Sequence, residues 1–289
     1  MPEHVFSGRT HDLGHGLLVQ RLLPHQRRRM IGPFVFHDHA GPVVLPPRLA
    51  RQADVRPHPH IGLATVSYLL SGSMVHRDSL GVKQRIVPGE VNWMTAGRGV
   101  SHSERFEGPQ AFAGGGLELL QSWVALPEED EEAAPAFDNY PADSLPEVRD
   151  DGRWLRVIAG SAYGLHSPVR TRSSLFYVHL ELGAGAGFAL PEGHSERGMY
   201  VVRGAVECDG QALLPGQMAV FSPGEQPRLR AVSEATVMLL GGEPLGPRFL
   251  WWNFVSSRRE RIEQAKADWQ AGRIALPPGD NAEFIPLPG

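Results

Sequence analysis

The sequence predicts an all-β protein made of two tandem antiparallel β-barrels of the jelly-roll type, followed by one C-terminal α-helix. Three observations support this fold class. Short apolar runs recur at intervals of roughly 8 to 12 residues, a spacing typical of sandwiches and barrels. Glycine and proline, with 33 and 25 residues, supply turns between the runs. The two halves of the chain also resemble each other, as expected of a duplicated unit.

The duplication is visible where matching apolar runs end in glycine. Residues 68–72 read Tyr-Leu-Leu-Ser-Gly, and residues 200–204 read Tyr-Val-Val-Arg-Gly. A Pro-Gly pair follows in each half, at residues 88–89 and 215–216, and another glycine stands nine residues after each of these prolines. The repeat therefore predicts two barrels with the same order of strands and turns.

The apolar pattern stops between the two halves. Residues 127–153 contain an acidic run and several prolines, which predicts a solvated linker. We therefore expect a first barrel over residues 1–126, an acidic linker over 127–153, and a second barrel with the C-terminal helix over 154–289.

The predicted helix follows the second barrel. Ser257 and Glu260 have the spacing of a capping box, in which a hydroxyl and a carboxylate bind free amide groups at a helix start. Ile262, Ala265 and Trp269 then recur at helical spacing, and Gly272 supplies the end. We expect this helix to pack across a barrel.

Composition excludes several classes of function. The net charge is -4, so the chain has no overall basic field for nucleic acid or an anionic membrane. With a single cysteine, Cys208, neither an internal disulfide nor a cysteine-based metal site can form, and we expect an inert, buried thiol. No apolar stretch approaches the ~18 residues of a membrane helix, and no secretory signal is visible. We expect a cytoplasmic protein.

Two short polar pairs carry the candidate chemistry. His58 and His60, and likewise His102 and Glu104, stand two residues apart, so on strands each pair points to one side. If the strands face each other, three neutral imidazoles and one carboxylate converge, a ligand set suited to iron, copper, nickel or zinc. A competing pair is His37 and His39, separated by one aspartate.

The second barrel lacks an equivalent set. The repeat aligns Leu190 and Glu192 with the first pair, and Leu229 and Ala231 with the second pair. Since only one of these four side chains can bind a metal, we expect a metal-free second barrel with a structural or docking role.

A set of motifs across nearly the whole chain resembles the pirin family of the cupin superfamily, which implies a bicupin fold. The motifs are Gly-Pro-Phe-Val-Phe at 32–36, Arg-Pro-His-Pro-His-Ile-Gly at 56–62, Asp-Ser at 78–79, Pro-Gly-Glu-Val-Asn-Trp-Met-Thr-Ala-Gly-Arg-Gly at 88–99, Ser-His-Ser-Glu at 101–104, and in the C-terminal part Gly-Glu-Pro-Leu at 242–245, Trp-Trp-Asn-Phe-Val at 251–255 and Ala-Asp-Trp at 267–269.

The resemblance implies a site and an activity. In pirins the two pairs bind one non-haem iron, which by position implies His58, His60, His102 and Glu104 as ligands of Fe(II) or Fe(III). Pirins are associated with quercetin 2,3-dioxygenase activity, in which O2 cleaves a flavonol and carbon monoxide is released. Glu104 is then expected to act as general base on the flavonol 3-hydroxyl. His39 and the adjacent aspartate also match the family and are expected to orient a ligand.

An alternative function follows from the same resemblance. Some pirins are iron-dependent regulators that bind a transcription factor or a metabolic enzyme, with the iron oxidation state altering the surface over the site. We expect a monomer that binds a small aromatic substrate and O2, or such a protein partner, without direct contact with nucleic acid or a membrane.

Overall fold

The computed structural model describes residues 1–13, 17–46, 51–112, 115–150 and 152–289. Within these ranges the chain forms 25 strands and one α-helix, so the all-β fold class with a C-terminal helix is confirmed. The strands are β1 (His4–Ser7), β2 (Arg9–Asp12), β3 (Leu18–Leu23), β4 (Phe34–Val43), β5 (Val55–His60), β6 (Leu63–Ser71), β7 (Met74–Asp78), β8 (Lys83–Ile86), β9 (Val91–Thr95), β10 (Val100–Arg105), β11 (Leu117–Ala125), β12 (Ala136–Tyr140), β13 (Glu147–Asp150), β14 (Arg153–Ala162), β15 (Leu165–His166), β16 (Leu175–Leu182), β17 (Gly187–Phe188), β18 (Glu196–Arg203), β19 (Val206–Cys208), β20 (Gln211–Leu213), β21 (Gln217–Phe221), β22 (Leu229–Ala231), β23 (Ala235–Gly242), β24 (Phe249–Trp251) and β25 (Phe254–Ser256), and the helix is α1 (Arg259–Gln270).

The chain divides into two compact units, and neither is continuous in sequence. The first unit comprises residues 10–19, 37–142 and 245–289, and the second comprises residues 1–9, 20–36 and 143–244. These units depart from the boundaries expected from the sequence. The N-terminal strand β1 pairs with β21 of the second unit, whereas the C-terminal segment packs within the first.

The first unit contains the sheet that carries the candidate ligands. Its four strands have the order β5-β10-β7-β8, and a larger sheet has the order β12-β9-β6-β11-β4-β3-β2. A core of buried apolar side chains fills the unit, including Leu69, Met74, Ile86 and Leu117. The ligand-bearing strands β5 and β10 are therefore neighbours in one sheet and are held by a packed core.

The second unit repeats the arrangement of a large and a small sheet. The large one has the order β1-β21-β18-β23-β16-β14-β13, with β15 paired to β14, and the small one has the order β17-β22-β19-β20. Leu190, Leu229 and Ala231, which the repeat aligns with ligand positions of the first barrel, belong to the apolar core here. Cys208 lies in the same core, where burial raises the pKa of its thiol to about 11, as expected of an inert cysteine.

The glycines that mark the repeat adopt matching backbone conformations. Gly72 and Gly204 have φ of 79° and 74°, and the glycines of the two Pro-Gly pairs, residues 89 and 216, have φ of 84° and 83°. The third pair, residues 97 and 224, also has positive φ. These angles favour glycine because a Cβ is strained there, so the repeat preserves the same turns in both units.

The acidic segment is only partly a connection. Residues 127–142 belong to the first unit, where β12 pairs with β9. Glu131 is 3% exposed, and its carboxylate accepts hydrogen bonds of 2.7 Å from both the Ser256 hydroxyl and the Ser257 amide. Arg248 lies 3.2 Å from the same carboxylate. The interpretation of this run as a solvated linker was therefore wrong at Glu131, which anchors the C-terminal segment.

The C-terminal helix has the predicted buried face but not the predicted cap. Ile262, Ala265 and Trp269 are buried, and Gly272 at φ 66° follows the helix end. The helix is preceded by Arg258, without a side-chain capping bond. The Ser257 hydroxyl bonds the buried glutamate of the acidic segment at 3.2 Å instead. The predicted capping box was wrong because the Ser257 hydroxyl binds the charged, buried carboxylate of Glu131 more strongly than it would bind a free amide at the helix start.

Candidate metal centre

Strands β5 and β10 bring the two polar pairs together. They run antiparallel, with His102 opposite His58 and Val100 opposite His60. Since alternate residues of a strand share a face, the three histidines project from one side of this strand pair. A β-bulge lies between His102 and Glu104 and shifts the register there.

The three imidazoles form a compact buried group. One ring nitrogen of each lies within 4.8 Å of those of the other two, and the Nε2 atoms of His60 and His102 are 3.1 Å apart. The exposed fractions of His58, His60 and His102 are 7%, 1% and 1%. This is the only such group of metal-binding side chains within the described ranges.

The electrostatics of the group suit a metal cation. Burial lowers the pKa of all three imidazoles, that of His58 to about 4, so they are neutral at pH 7. The Nδ1 atoms of His58 and His60 lie 2.9 Å and 3.2 Å from the carbonyl oxygens of Arg56 and Asn253. A carbonyl only accepts, so both Nδ1 atoms carry the proton, and the Nε2 lone pairs are free to bind a metal.

Glu104 is buried beside this group but is not a member of it. Its carboxylate lies outside the 4.8 Å set, is 9% exposed and makes no hydrogen bond with any residue that the structure describes. Burial raises its pKa to about 7. A buried carboxylate without donors is costly, and a bound cation is the usual way to stabilise it. The donor set of three neutral imidazoles and one unpartnered carboxylate fits a borderline divalent metal.

The sequence interpretation missed two residues behind His102. The Nδ1 atoms of His76 and His102 are 3.3 Å apart, and His76 Nε2 lies 3.0 Å from Asp78 Oδ2. The ring of Phe137 stacks on His76 with centroids 4.4 Å apart. The signal in the sequence was that His76 and Asp78 stand two residues apart, the same spacing as in the two candidate ligand pairs. Of these two residues, only Asp78 entered the sequence interpretation, as part of a family motif.

The competing pair is engaged elsewhere in the first unit. His37 Nδ1 lies 2.8 Å from the Ser122 hydroxyl, and His39 Nε2 lies 3.1 Å from a carboxylate oxygen of Glu118. Burial lowers the pKa of His37 to about 3. Strand β11 supplies Glu118, which is far from this pair in the sequence.

The back of strand β10 is held by the C-terminal residues 274–289, which we call the C-terminal strap. The Ser103 hydroxyl donates a 2.6 Å hydrogen bond to Asp280, and Arg105 donates two further bonds to the same carboxylate at 2.6 and 2.9 Å. On β5, the carbonyl of Pro57 accepts a 2.8 Å bond from the strap amide of Ile285. Ligands on one face and strap contacts on the other thus fix β10.

Comparison with known proteins matches both units. The family model described as pirin matches residues 16–124, and the one described as the pirin C-terminal cupin domain matches residues 177–275. A pirin-like protein of Caulobacter vibrioides is 54% identical over 290 residues, which cover 100% of both chains. Within the described ranges, no helix is long and apolar enough to cross a membrane.

Solved structures give the same picture. A quercetin 2,3-dioxygenase from Acinetobacter baumannii superposes with a TM-score of 0.90 at 34% identity, over 99% of this chain and 95% of that one. A bacterial pirin from Escherichia coli in complex with nickel(II) has a TM-score of 0.63 at 18% identity, over 83% of this chain and 100% of its own, and shows the fold alone. The resemblance found in the sequence is confirmed, and the chain belongs to the pirin family.

Proposed function

We propose that this protein is a metal-dependent dioxygenase that cleaves flavonols such as quercetin with O2 and releases carbon monoxide. The observation that carries the proposal is the convergence of three neutral, buried imidazoles beside an unpartnered carboxylate. The similarity to a quercetin 2,3-dioxygenase over nearly the whole chain supports the same substrate class.

One metal ion, which we assign as iron, would be held by His58, His60, His102 and Glu104. When bound, the metal supplies Lewis acidity, which lowers the pKa of a hydroxyl group that it contacts. The buried walls of the group exclude water, so the imidazoles stay neutral and keep their lone pairs. The indole of Trp123, whose centroid is 5.0 Å from that of His60, packs edge-on against this ligand and limits its rotation.

Glu104 is assigned the role of general base. Its carboxylate oxygen accepts the proton of the flavonol 3-hydroxyl, which leaves an electron-rich flavonolate for reaction with O2. In the metal-free protein, burial raises the pKa of Glu104 to about 7, and a carboxylate with such a pKa is a stronger base than a solvated one. A bound cation lowers this pKa, so Glu104 acts as the base when it detaches from the metal. The same residue is also a ligand, so its two roles need separate measurements.

The test begins with metal analysis of protein purified from its native source. Protein loaded with iron under anaerobic conditions is then mixed with quercetin and O2, and both carbon monoxide release and flavonol loss are followed. We expect turnover above that of free iron. No turnover by fully loaded protein would overturn the enzyme assignment and leave the regulatory function as the alternative.

A Glu104→Gln variant separates ligand from base. If Glu104 is the base, this variant keeps a substantial share of its metal but loses roughly 10²-fold or more in kcat. Equal turnover by wild type and variant would refute the assigned base. A large loss of metal with unchanged turnover per metal ion that remains bound would identify Glu104 as a ligand only.

A further inference from the structure

One nitrogen of each candidate ligand is held by a neighbouring group, and in His102 that group is another side chain. His58 and His60 each face a backbone carbonyl, which fixes the tautomer because a carbonyl cannot donate. His102 Nδ1 instead faces His76 Nδ1, at 3.3 Å. An imidazole nitrogen can donate or accept, so this contact alone leaves the proton of His102 undetermined.

Asp78 resolves the ambiguity. Its side chain is fully buried, and Oδ1 accepts hydrogen bonds from the amides of Leu80 and Val82 at 2.9 and 3.1 Å. Oδ2 lies 3.0 Å from His76 Nε2. Because a carboxylate oxygen accepts hydrogen bonds, a neutral His76 ring carries its proton on Nε2 and presents an Nδ1 lone pair. His102 must then donate from Nδ1, which leaves its Nε2 lone pair facing His60.

We infer that His76 and Asp78 form a positioning pair that fixes the tautomer of His102 and aims its Nε2 lone pair at the bound metal. The inference rests on the metal-binding part of the proposed function and is independent of the reaction. Neither residue is expected to touch the metal or the substrate. The pair replaces the backbone carbonyl that serves the other two histidines.

The surroundings of Asp78 make one substitution decisive. In Asp78→Asn, the two backbone amides can be satisfied only by the amide oxygen, so the amide NH2 must face His76. That NH2 donates to His76 Nε2, which moves the His76 proton to Nδ1. His102 then receives a hydrogen bond at Nδ1 and carries its own proton on Nε2, the nitrogen that should bind the metal. Replacing one carboxylate oxygen by an NH2 group thus reverses the direction of both hydrogen bonds, the one between residue 78 and His76 and the one between His76 and His102.

The matched control comes from the second unit, where His179 and Glu181 form the same i, i+2 arrangement on strand β16. His179 Nε2 lies 2.9 Å from Glu181 Oε1, and neither residue belongs to the metal-binding group. Glu181→Gln therefore makes the same carboxylate-to-amide change beside a histidine that binds no metal in our assignment.

The experiment measures zinc affinity of the full-length apoprotein by competition with a chromophoric chelator, because zinc is a diamagnetic probe. We expect Asp78→Asn to weaken zinc binding 10- to 100-fold, the usual effect of losing an outer partner of a ligating histidine, and Glu181→Gln to change it less than twofold. Equal affinity of Asp78→Asn and wild type would overturn the inference. Failure of the wild type to bind zinc would instead overturn the metal site itself.

Imidazole nitrogen spectra of protein labelled with 15N-histidine give the readout that a merely structural role would not move. In wild-type protein we expect His102 protonated on Nδ1 and His76 on Nε2, and in Asp78→Asn the reverse for both. The wild-type spectrum tests the inference even if the variant does not fold. Protonation of wild-type apo His102 on Nε2 would refute it. A His76→Asn variant, whose amide oxygen takes the place of Nδ1 as acceptor, should retain more zinc affinity than Asp78→Asn.

Discussion

Replacing Glu131 with alanine removes the centre of a buried polar cluster. The carboxylate accepts two 2.7 Å hydrogen bonds, from the Ser256 hydroxyl and the Ser257 amide, and lies 3.2 Å from Arg248. The side chains of Glu131 and Arg248 are 3% and 4% exposed. The alanine variant therefore leaves a buried cation without its anion, and it leaves the buried Ser256 hydroxyl and the part-buried Ser257 amide without their acceptor.

The magnitude follows from these contacts. Removing one partner of a buried ion pair costs about 3 to 5 kcal/mol, chiefly because the remaining charge stays buried. Arg248 keeps hydrogen bonds of 2.8 to 3.1 Å to the carbonyls of Leu245, Pro247 and Leu126, which lowers the penalty. We expect Glu131→Ala to reduce the free energy of unfolding of the first unit by about 3 kcal/mol. At an m-value of about 2 kcal/mol per M of urea, the midpoint falls by about 1.5 M.

Urea unfolding followed by tryptophan fluorescence measures this shift, because five of the six tryptophans belong to the first unit. Glu129→Ala is the matched control, since Glu129 belongs to the same acidic run but is exposed. Its midpoint should move by less than about 0.3 M, as for most surface substitutions. A Glu131→Ala midpoint equal to that of the control would refute the argument that this carboxylate anchors the C-terminal segment.

Three further predictions concern other parts of the first unit. Burial lowers the pKa of His37 to about 3, so the folded protein does not bind the proton that the unfolded chain binds below pH 6.5. The contribution of His37 to the free energy of unfolding is therefore constant above pH 6.5, and it falls by up to about 1.4 kcal/mol per pH unit from pH 6.5 to pH 3. When urea unfolding is measured from pH 4 to 7, the free energy of unfolding of His37→Asn should depend less steeply on pH than that of wild type, by the contribution of one proton. An equal pH dependence of the two proteins would contradict this prediction. Gly62→Ala should abolish stable folding, because at φ 67° the new Cβ would lie 2.0 Å from the Val255 carbonyl oxygen. In Gly81→Ala the new Cβ enters open space at φ 89°, so this variant should lose only about 1 to 2 kcal/mol of stability. Equal melting temperatures of the two variants would refute this prediction. Asp280→Asn should destabilise the C-terminal strap by about 2 kcal/mol and speed its cleavage by thermolysin, and an unchanged cleavage rate would count against it.

The grouping of His58, His60 and His102 was predictable from the sequence because much of its geometry is local. Two residues apart on a regular strand share a face, so His58 with His60 needed only the correct assignment of one strand, and the neighbouring strand brings His102. Glu104 as the fourth ligand stays a prediction. The duplicated turns were predictable for the same reason, since a left-handed glycine is a property of a few neighbouring residues. The bulge after His102 was not, because register irregularities depend on the partner strand.

Long-range partners lay beyond sequence reasoning. Glu131 was interpreted as one of a run of solvated acids because nothing near it in sequence shows that Ser256 and Arg248 pack against it. The capping box at Ser257 failed for the same reason, since a local motif lost its hydroxyl to a distant carboxylate. His76 with Asp78 is a different case: the spacing was visible, but its use depends on the ring of His102, which only the fold places there.

The C-terminal segment completes the candidate metal centre late in synthesis of the chain. The carbonyl that orients His60 belongs to Asn253, about 150 residues after His102, the last of the three histidines. At roughly 5 to 20 residues per second, this carbonyl leaves the ribosome about 8 to 30 s after the histidines do. During that interval His60 Nδ1 lacks this acceptor, whereas the partner of His58, the carbonyl of Arg56, has already been made. The geometry that we propose for metal binding is therefore complete only when nearly the whole chain has been made.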